Sequence, residues 1–268
     1  FYPRRGFGQI SEAYGEAAVA AGAELRLGAR VTRLAPRQGA PGWVVGTEGA
    51  NGEASLEADY LWSTIPITTL ARAMPDTPPP VLAAADQIRY RAMLLVYLVL
   101  DVERFTEYDA HYFPDPKITI TRLSEPKNYS VATEPRGRTI LCAELPCDAD
   151  DTTWRLDDAA LGRLVADDLA RAGIPLARPP VGVAVRRLRQ AYPIYLNGYE
   201  QPLGVLDDWS LRLTRVLSYG RQGLFAHDNT HHALFMAYAA AECLGATGFD
   251  EQRWASYREV FKTHVVED

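Results

Sequence analysis

Three histidines that could ligate a metal ion lie close together in the C-terminal part of the sequence. His227 and His231 are four residues apart, which would place both on one face of a helix, and His232 follows directly. Imidazole nitrogens at this spacing can bind zinc. No third ligand lies at a convincing spacing, although Asp228 is adjacent to His227. The sequence therefore predicts no metal site.

Basic residues in the middle of the chain could bind an anion. Arg122 and Lys127 lie five residues apart, and Arg186, Arg187 and Arg189 follow later. Guanidinium groups suit phosphate and carboxylate because they donate paired hydrogen bonds. Solvated strand ends carry the same residue types, and the sequence alone slightly favours that interpretation.

Several tyrosines have two interpretations. Tyr129, Tyr192, Tyr195 and Tyr199 could form the aromatic walls of a pocket for a planar ligand, or they could pack in sheets and loops. The sequence has neither a G-x-S-x-G elbow nor a usual Cys/His arrangement, so nucleophilic hydrolysis has no support. A cofactor would have to carry the chemistry.

The glycines near the start of the chain do not form a dinucleotide-binding loop. The segment GFGQIS (residues 6–11) has no strand before it, and Ser11 replaces the last glycine of G-x-G-x-x-G. No other stretch supplies this motif, and the first residue is Phe1 instead of Met. We expect a segment upstream of Phe1 to be missing and to hold part of any nucleotide cofactor.

Composition excludes several classes of protein. The chain has 268 residues, 47% of them hydrophobic, and a net charge of −6 without a basic run, so nucleic acid is not an expected partner. The longest apolar run, residues 93–100, is far shorter than the roughly 20 residues of a membrane-spanning helix. Three cysteines fit no zinc or disulfide pattern. These features predict a cytoplasmic protein with buried, unpaired cysteines.

The first part of the chain is predicted to be a helix followed by short strands. Apolar residues from Phe7 to Ala21 recur at helical spacing, and Gly22 is placed to end the helix. Four segments have strand character and are separated by turn residues. They are residues 24–27, 31–34, 43–47 and 60–64.

A second region begins after a stiff break at residues 77–80, so we place a domain transition near residue 76. Four apolar or alternating segments predict an antiparallel sheet. They are residues 90–100, 118–121, 139–145 and 181–185. Helices are predicted from Asp157 to Gly173 and, in the C-terminal part, over 201–213, 233–245 and 250–264.

Several segments in order resemble FAD-dependent amine oxidases and protoporphyrinogen oxidase-like flavoproteins. They are YPRRGFGQ (residues 2–9), LRLGARVTRL (25–34), STIP (63–66) and GRQGLF (220–225). The resemblance extends from Phe1 to about Gly245. It implies an α+β chain, part of an α/β FAD-binding fold that lacks its Rossmann N-terminus. A substrate domain with an antiparallel sheet and flanking helices completes the chain.

The resemblance also implies domain bounds and a cofactor half-site. Residues 1–75 would be a partial FAD-binding domain, 76–214 the substrate domain, and 215–268 a return to the FAD-binding domain. Val31 would touch the adenine through its backbone, and the helix after GRQGLF would begin at the isoalloxazine ring, where its dipole favours negative charge. The implied cofactor contacts are Val31, Thr64, Pro66, Gly220, Arg221, Phe225, Asn229 and Thr230.

The middle of the chain is similar to UDP-galactopyranose mutases. Residues 121–127 (TRLSEPK) and 191–195 (AYPIY) match segments of those enzymes, which assigns Arg122, Lys127, Tyr192 and Tyr195 to substrate binding. The mutases carry two tyrosines where this chain has Phe225 and His227. The substrate would be a small molecule, with an anionic or nucleotide-sugar-like character.

The sequence leaves three functions open. The first is part of an FAD-dependent oxidoreductase that transfers hydride from a carbon–nitrogen or carbon–carbon bond to flavin. The second is a flavin-dependent mutase-like enzyme acting on a nucleotide sugar. The third is a non-catalytic binding fragment. We expect the isolated chain to be inactive, and either to dimerise or to bind FAD weakly.

Overall fold

The computed structural model describes residues 3–50, 52–129 and 134–266. Tyr2, the first residue of the YPRRGFGQ segment, lies outside the described residues. Helices and sheets are both present, as the α+β prediction requires. Among the described helices, none combines the length and the hydrophobicity needed to cross a bilayer.

The helices are distributed along the whole chain. They are α1 Gly8–Ala20, α2 Ile67–Ala73, α3 Pro79–Gln87, α4 Asp158–Arg171, α5 Glu200–Ser210, α6 Gly220–Gly223, α7 Thr230–Cys243 and α8 Glu251–Phe261, with a short 3₁₀ helix at Pro126–Tyr129.

Within the described residues, the strands form four separate sheets. The strands are β1 Arg30–Pro36, β2 Trp43–Gly49, β3 Gly52–Ala58, β4 Leu61–Ser63, β5 Arg89–Leu100, β6 Ala110–Tyr112, β7 Arg122–Ser124, β8 Thr139–Cys147, β9 Gly182–Ile194, β10 Val216–Ser218, β11 Leu244–Gly245 and β12 Gly248–Phe249.

The chain divides into two compact units, each made of two segments. Unit 1 contains residues 1–26 and 90–191, and unit 2 contains residues 27–89 and 192–268. The expected transition near residue 76 instead lies inside unit 2, because α3 lies against α5 of the same unit. Pro79 and Pro80 begin α3, since proline is tolerated in the first turn of a helix.

Unit 1 is built on a five-stranded sheet in the order β6-β7-β8-β5-β9. The pairs β5–β8, β7–β8 and β6–β7 are antiparallel. Alternate residues of β5 and β8 form a core with one face of α4, which includes Leu161, Val165 and Leu169. A methyl group added at Gly162 would lie 2.8 Å from a Val183 methyl, so glycine lets α4 approach β9 closely.

A buried aspartate of α4 holds the segment that was expected to be a strand at residues 118–121. Asp168 is fully buried and accepts hydrogen bonds from the N–H groups of Thr119 at 2.8 Å and Ile120 at 3.2 Å. The Thr119 hydroxyl and the Arg171 guanidinium also donate to this carboxylate. Because these N–H groups bind a side chain, residues 118–120 are not a strand, and only Thr121 bonds to β8, through its N–H and the Glu144 carbonyl oxygen at 2.9 Å. The strand prediction over 118–121 is therefore wrong.

Unit 2 contains the remaining sheets. Strands β1, β2 and β3 form an antiparallel sheet, and β4 pairs with β10 in parallel. Its C-terminal core packs α7 against α8 through residues such as Met236, Ala240, Trp254 and Phe261. The strand predicted at residues 24–27 is absent from the described structure, where that stretch has no regular secondary structure.

The cysteines are unpaired, as predicted. Cys147 and Cys243 are buried as expected, whereas Cys142 is only partly buried. Burial raises the pKa of the Cys147 thiol to about 11. In a Cys142→Ala, Cys243→Ala background, we expect Cys147 to react with iodoacetamide at pH 8 about 200-fold more slowly than a free cysteine, because about 200-fold less thiolate is present. Mass spectrometry would measure the rate. The same chain unfolded in urea should react at the ordinary rate, and equal rates before and after unfolding would contradict the prediction.

The raised pKa of Cys147 also makes stability depend on pH. An unfolded thiol ionises near pH 8.5, whereas the folded one keeps its proton until about pH 11. The contribution of Cys147 to stability is therefore complete below about pH 8.5 and is lost as the pH rises toward 11.

Candidate functional site

The candidate site lies where two parallel strands end together. In the β4–β10 pair, Leu61 aligns with Val216 and Ser63 with Ser218. The Tyr219 N–H then donates to the Ser63 carbonyl oxygen at 3.0 Å, which extends the pairing by one residue. In open α/β sheets, ligands bind outside the carboxyl ends of parallel strands. The residues after Ser63 and Ser218 are therefore placed to contact a ligand.

The turn that follows β10 requires its glycines. Gly220 has a φ of 79°, which side chains other than glycine rarely adopt. A methyl group added at Gly223 would lie 3.0 Å from the Ser218 Oγ and 3.3 Å from the Ser63 carbonyl oxygen. One added at Gly220 would lie 3.8 Å from Thr64. The structure therefore brings Thr64 and Gly220, two predicted cofactor contacts, side by side.

Arg221 carries the most informative polar atoms of the site. Its Nε and Nη2 atoms are buried and have no hydrogen-bond partner among the described residues. The guanidinium lies over the ring of Tyr192, 4.7 Å from its centroid, and the Tyr192 ring meets His227 edge-on at 5.5 Å. Buried nitrogens of a charged group that lack hydrogen-bond partners are costly. An acceptor on a bound ligand would satisfy it.

The N-terminus of α7 adds a positive helix end. Asn229 is the N-cap and forms a reciprocal capping box with His232, which satisfies two backbone N–H groups of the first turn. Thr230, the first helical residue, is exposed. Fourteen residues of helix follow this end, and the helix dipole favours negative charge there.

Phe225 occupies a different environment from the one predicted. Its side chain is 2% exposed, and its ring packs against Tyr195 at 5.5 Å and Tyr199 at 6.1 Å. The Tyr195 hydroxyl donates to the Phe225 carbonyl oxygen at 3.1 Å, and burial raises the pKa of Tyr195. The Phe225 ring therefore belongs to the core and is closed to a ligand, because the two tyrosines cover it.

The other two predicted cofactor contacts lie in unit 2 as well. Val31 is 52% exposed in β1, next to an irregularity in the register with β2. Pro66 is the N-cap of α2, directly after the Thr64 turn. Val31 thus belongs to the three-stranded sheet, whereas Thr64 and Pro66 follow the parallel pair.

Lys127 was expected to bind substrate, and the structure instead gives it a structural environment in unit 1. Its side chain is 4% exposed, and Nζ lies 2.6 Å from Glu103 Oε1. The same ammonium donates to the carbonyl oxygens of Glu103, Pro135 and Arg138 at 2.8–3.1 Å. An ammonium with four acceptors has no donor left for a ligand.

We expect Lys127→Met to lower the free energy of unfolding by about 1–2 kcal/mol, because it leaves several acceptors without a donor. Urea unfolding would measure the change. Lys117→Met is the matched control, since Lys117 is exposed, and it should change stability little. Unchanged stability of Lys127→Met together with weaker substrate binding would contradict the structural role.

Arg122 lies in the same unit and is partly engaged. Its Nε lies 3.0 Å from Glu144 Oε1, and Nη2 binds the same oxygen. Burial lowers the pKa of Arg122, but the hydrogen bonds and charges of Glu144 and Tyr112 together outweigh burial, so the net shift is upward. Arg122 and Lys127 belong to unit 1, whereas Tyr192 and Tyr195 belong to unit 2.

A cavity of about 840 Å³ lies elsewhere in unit 2. Its lining includes Tyr60, which directly precedes β4, Trp62 of β4, Leu217 of β10, and Trp254 and Arg258 of α8. None of the residues predicted to bind a cofactor or substrate lines it. Sequence patterns could not reveal this cavity, because its lining comes from segments almost 200 positions apart.

Comparison with protein-family models identifies one family. A family model described as flavin containing amine oxidoreductase matches residues 1–240. No curated protein matches the sequence.

Solved structures share the fold at low identity. A reduced UDP-galactopyranose mutase aligns with a TM-score of 0.75 and 20% identity, over 99% of this chain and 57% of that one. A protein from Exiguobacterium sp. 255-15 with a provisional protoporphyrinogen oxidase assignment aligns at 0.61 and 18%, over 97% and 51%. Putrescine oxidase bound to putrescine aligns at 0.59 and 17%, over 82% and 49%. The chain thus spans about half the length of these structures.

Proposed function

Because the chain belongs to the flavin containing amine oxidoreductase family, we propose that it supplies half of an FAD site in an oxidoreductase that transfers hydride from an organic substrate to flavin. The observation that carries the proposal is the partly buried Arg221, whose Nε and Nη2 atoms are buried and lack a hydrogen-bond partner in the described structure. Acceptor atoms of a bound flavin would satisfy them.

The residues around this arginine fit a flavin. Gly220 and Thr64 lie side by side just after the two parallel strands, where a ligand is expected to bind. When bound there, FAD supplies hydride acceptance, which places negative charge on the ring. Arg221 and the N-terminus of α7 are positive groups that would stabilise this charge. The role of this chain is therefore to position the ring and to favour its reduced form.

The rest of the FAD site would come from a Rossmann segment outside this sequence. A G-x-G-x-x-G motif after a strand is missing from the 268 residues. Within the described residues, β4 and β10 pair with no third strand, although parallel strands are normally buried in larger sheets. Ile65, directly after β4, is 43% exposed. These open edges support docking of a further parallel segment.

Exposed apolar residues elsewhere also support docking of a further segment. They disfavour the third function, a binding module that is complete in itself. None of the α1 residues is buried, and Phe7, Tyr14 and Val19 are each 44–50% exposed. Val31 in unit 2 is also exposed. Exposed apolar surface of this kind usually marks an interface.

The decisive experiment is flavin reconstitution of the full-length gene product. We expect it to show flavin absorbance after gentle purification or after incubation with FAD, whereas the 268-residue chain alone binds FAD weakly. A folded full-length protein that shows no flavin absorbance after reconstitution would overturn the proposal. Amines are the first substrates to test, because putrescine oxidase was solved with putrescine bound.

A second candidate function is a mutase-like reaction on a nucleotide sugar. The UDP-galactopyranose mutase structure aligns with a TM-score of 0.75, above the two oxidase structures named above. Arg122 would then contact the diphosphate, because a guanidinium can donate paired hydrogen bonds to phosphate oxygens. Phe225 and His227 stand where the mutases carry tyrosines, and the buried Phe225 ring offers no hydroxyl.

Titration of the full-length protein with UDP separates the two functions. A mutase-like enzyme should bind UDP saturably, and Arg122→Ala should weaken binding by about tenfold or more. Arg163→Ala is the matched control, because Arg163 is exposed on α4. If the flavin-loaded protein did not bind UDP, the mutase-like function would be excluded and the oxidoreductase function would remain.

A further inference from the structure

Two histidines and an aspartate that are far apart in sequence meet in unit 2. Asp228 precedes α7, His232 lies in the first turn of that helix, and His264 follows α8. One donor atom from each side chain lies within 4.8 Å of the other two. We propose that Asp228, His232 and His264 form a binding site for a divalent transition-metal ion, with zinc as the reference ion.

The distances between the histidine nitrogens and the Asp228 oxygens suit the coordination of a metal ion. The Nδ1 of His264 lies 3.3 Å from Asp228 Oδ2, and the Nδ1 of His232 lies 3.5 Å from Asp228 Oδ1. A charge-assisted hydrogen bond would be shorter, at about 2.7–2.9 Å. Zinc binds nitrogen and oxygen at about 2.0–2.1 Å, so two ligands of a tetrahedral site lie roughly 3.3–3.4 Å apart. The two observed distances therefore match ligand-to-ligand spacing.

Burial and charge call for a cation at this position. The side chains of Asp228, His232 and His264 are 5%, 12% and 10% exposed. In the part of the chain that the structure describes, no lysine or arginine forms an ion pair with Asp228. A buried carboxylate requires compensation of its charge. A divalent ion held by all three groups would compensate the charge.

The protonation of the histidines is compatible with metal binding. The Asn229 N–H donates to His232 Nδ1 at 3.2 Å, so this nitrogen carries a lone pair and the proton of the neutral ring is on Nε2. The rings of His232 and His264 stack at 4.2 Å with an angle of 12°, which holds both imidazoles in place. An ion would compete with the Asn229 N–H for the lone pair of His232.

The ligand types narrow the choice of ion. Two imidazoles and one carboxylate suit zinc, iron(II), nickel or copper better than calcium or magnesium, which prefer oxygen ligands. Three protein ligands would leave a position for water or an anion. The sequence singled out His227, His231 and His232 but predicted no metal site. Of these three only His232 belongs to the cluster, and His227 and His231 are exposed.

This inference does not depend on flavin binding, because all three side chains belong to unit 2 of this chain. The test is titration of the purified, chelator-treated chain with ZnCl₂ by calorimetry, and with CoCl₂ by visible absorbance. We expect saturable one-to-one zinc binding and a cobalt spectrum that reports nitrogen and oxygen ligands in a low-symmetry site.

Variants identify the ligands. His264→Ala and the nearly isosteric Asp228→Asn should each weaken zinc binding by about 100-fold or more. His231→Ala is the matched control, since it removes a neighbouring histidine of α7 from outside the cluster and should bind as tightly as the wild type. Circular dichroism would confirm that each variant is folded.

Two outcomes would overturn the site. One is the absence of saturable one-to-one binding by the folded wild-type chain. The other is equal zinc affinity in the wild type and in a folded Asp228→Asn or His264→Ala variant.

Discussion

Replacing Asp168 with alanine should lower the free energy of unfolding by about 3–5 kcal/mol, because the change leaves buried donors without an acceptor. The carboxylate is fully buried and binds two backbone N–H groups, those of Thr119 and Ile120, in addition to the Thr119 hydroxyl. Ile120 is fully buried, so water cannot replace the bond to its N–H. Urea unfolding monitored by circular dichroism would measure the loss.

Two further variants make this prediction specific. Asp167→Ala changes the neighbouring exposed aspartate of α4 and should have little effect. Asp168→Asn keeps one acceptor oxygen and should cost less than alanine. If Asp168→Ala and Asp167→Ala were equally stable, the hydrogen bonds to residues 119 and 120 would not contribute as described.

Replacing Arg221 with alanine should weaken FAD binding to the full-length gene product by about 100-fold, because hydrogen bonds from a buried charged group contribute about 1.5–3 kcal/mol. The guanidinium is positioned by the Tyr192 ring beneath it and by the Gly220 turn before it. Its two unpartnered nitrogens have no other acceptor within the described structure. Fluorescence quenching during FAD titration would measure the affinity.

Arg212→Ala is the control for this prediction, because Arg212 lies in the same unit and its side chain is 79% exposed. It should bind FAD as the wild type does. Arg221→Lys tests geometry, since a single ammonium cannot replace a planar fork, and it should recover only part of the affinity. Equal FAD affinity in Arg221→Ala and wild type would show that the guanidinium faces no cofactor.

Local patterns predicted much of the secondary structure. The apolar run from Tyr90 to Leu100 is β5, which is buried in the middle of a sheet. Asp157 lies at the start of α4 as expected, and its carboxylate accepts the Ala160 N–H at 2.6 Å. Alternation over residues 139–145 corresponds to β8. In these segments the periodicity and the capping residues agree with the tertiary contacts, so the sequence is sufficient.

Predictions failed where long-range contacts decide the structure. Proline at positions 79 and 80 was interpreted as a break, whereas it begins α3. Residues 118–121 alternate as a strand would, but Asp168, almost 50 residues later, takes their N–H groups. The domain bounds at 75 and 214 differ from the unit bounds at 89 and 191, because the units are held by contacts between distant segments.

The candidate site was partly predictable for the same reason. Thr64, Gly220, Arg221 and Asn229 lie in short segments whose glycines and capping residues are visible in the sequence. The burial of Lys127 depends on carbonyl oxygens from Glu103 and Arg138, and no local pattern records them. His264 meets Asp228 across 36 residues, so only the three-dimensional structure could join them.

Because each unit is made of two segments, a unit can complete its fold only after its second segment has been synthesised. As the chain leaves the ribosome, unit 1 has both of its segments once Ala191 is made, and it can then close its sheet. Residues 27–89 were made earlier, yet they must wait for residues 192–268 before unit 2 is complete. During that interval β4 has no β10 to pair with, and a chaperone that shields this nascent segment would protect it from aggregation.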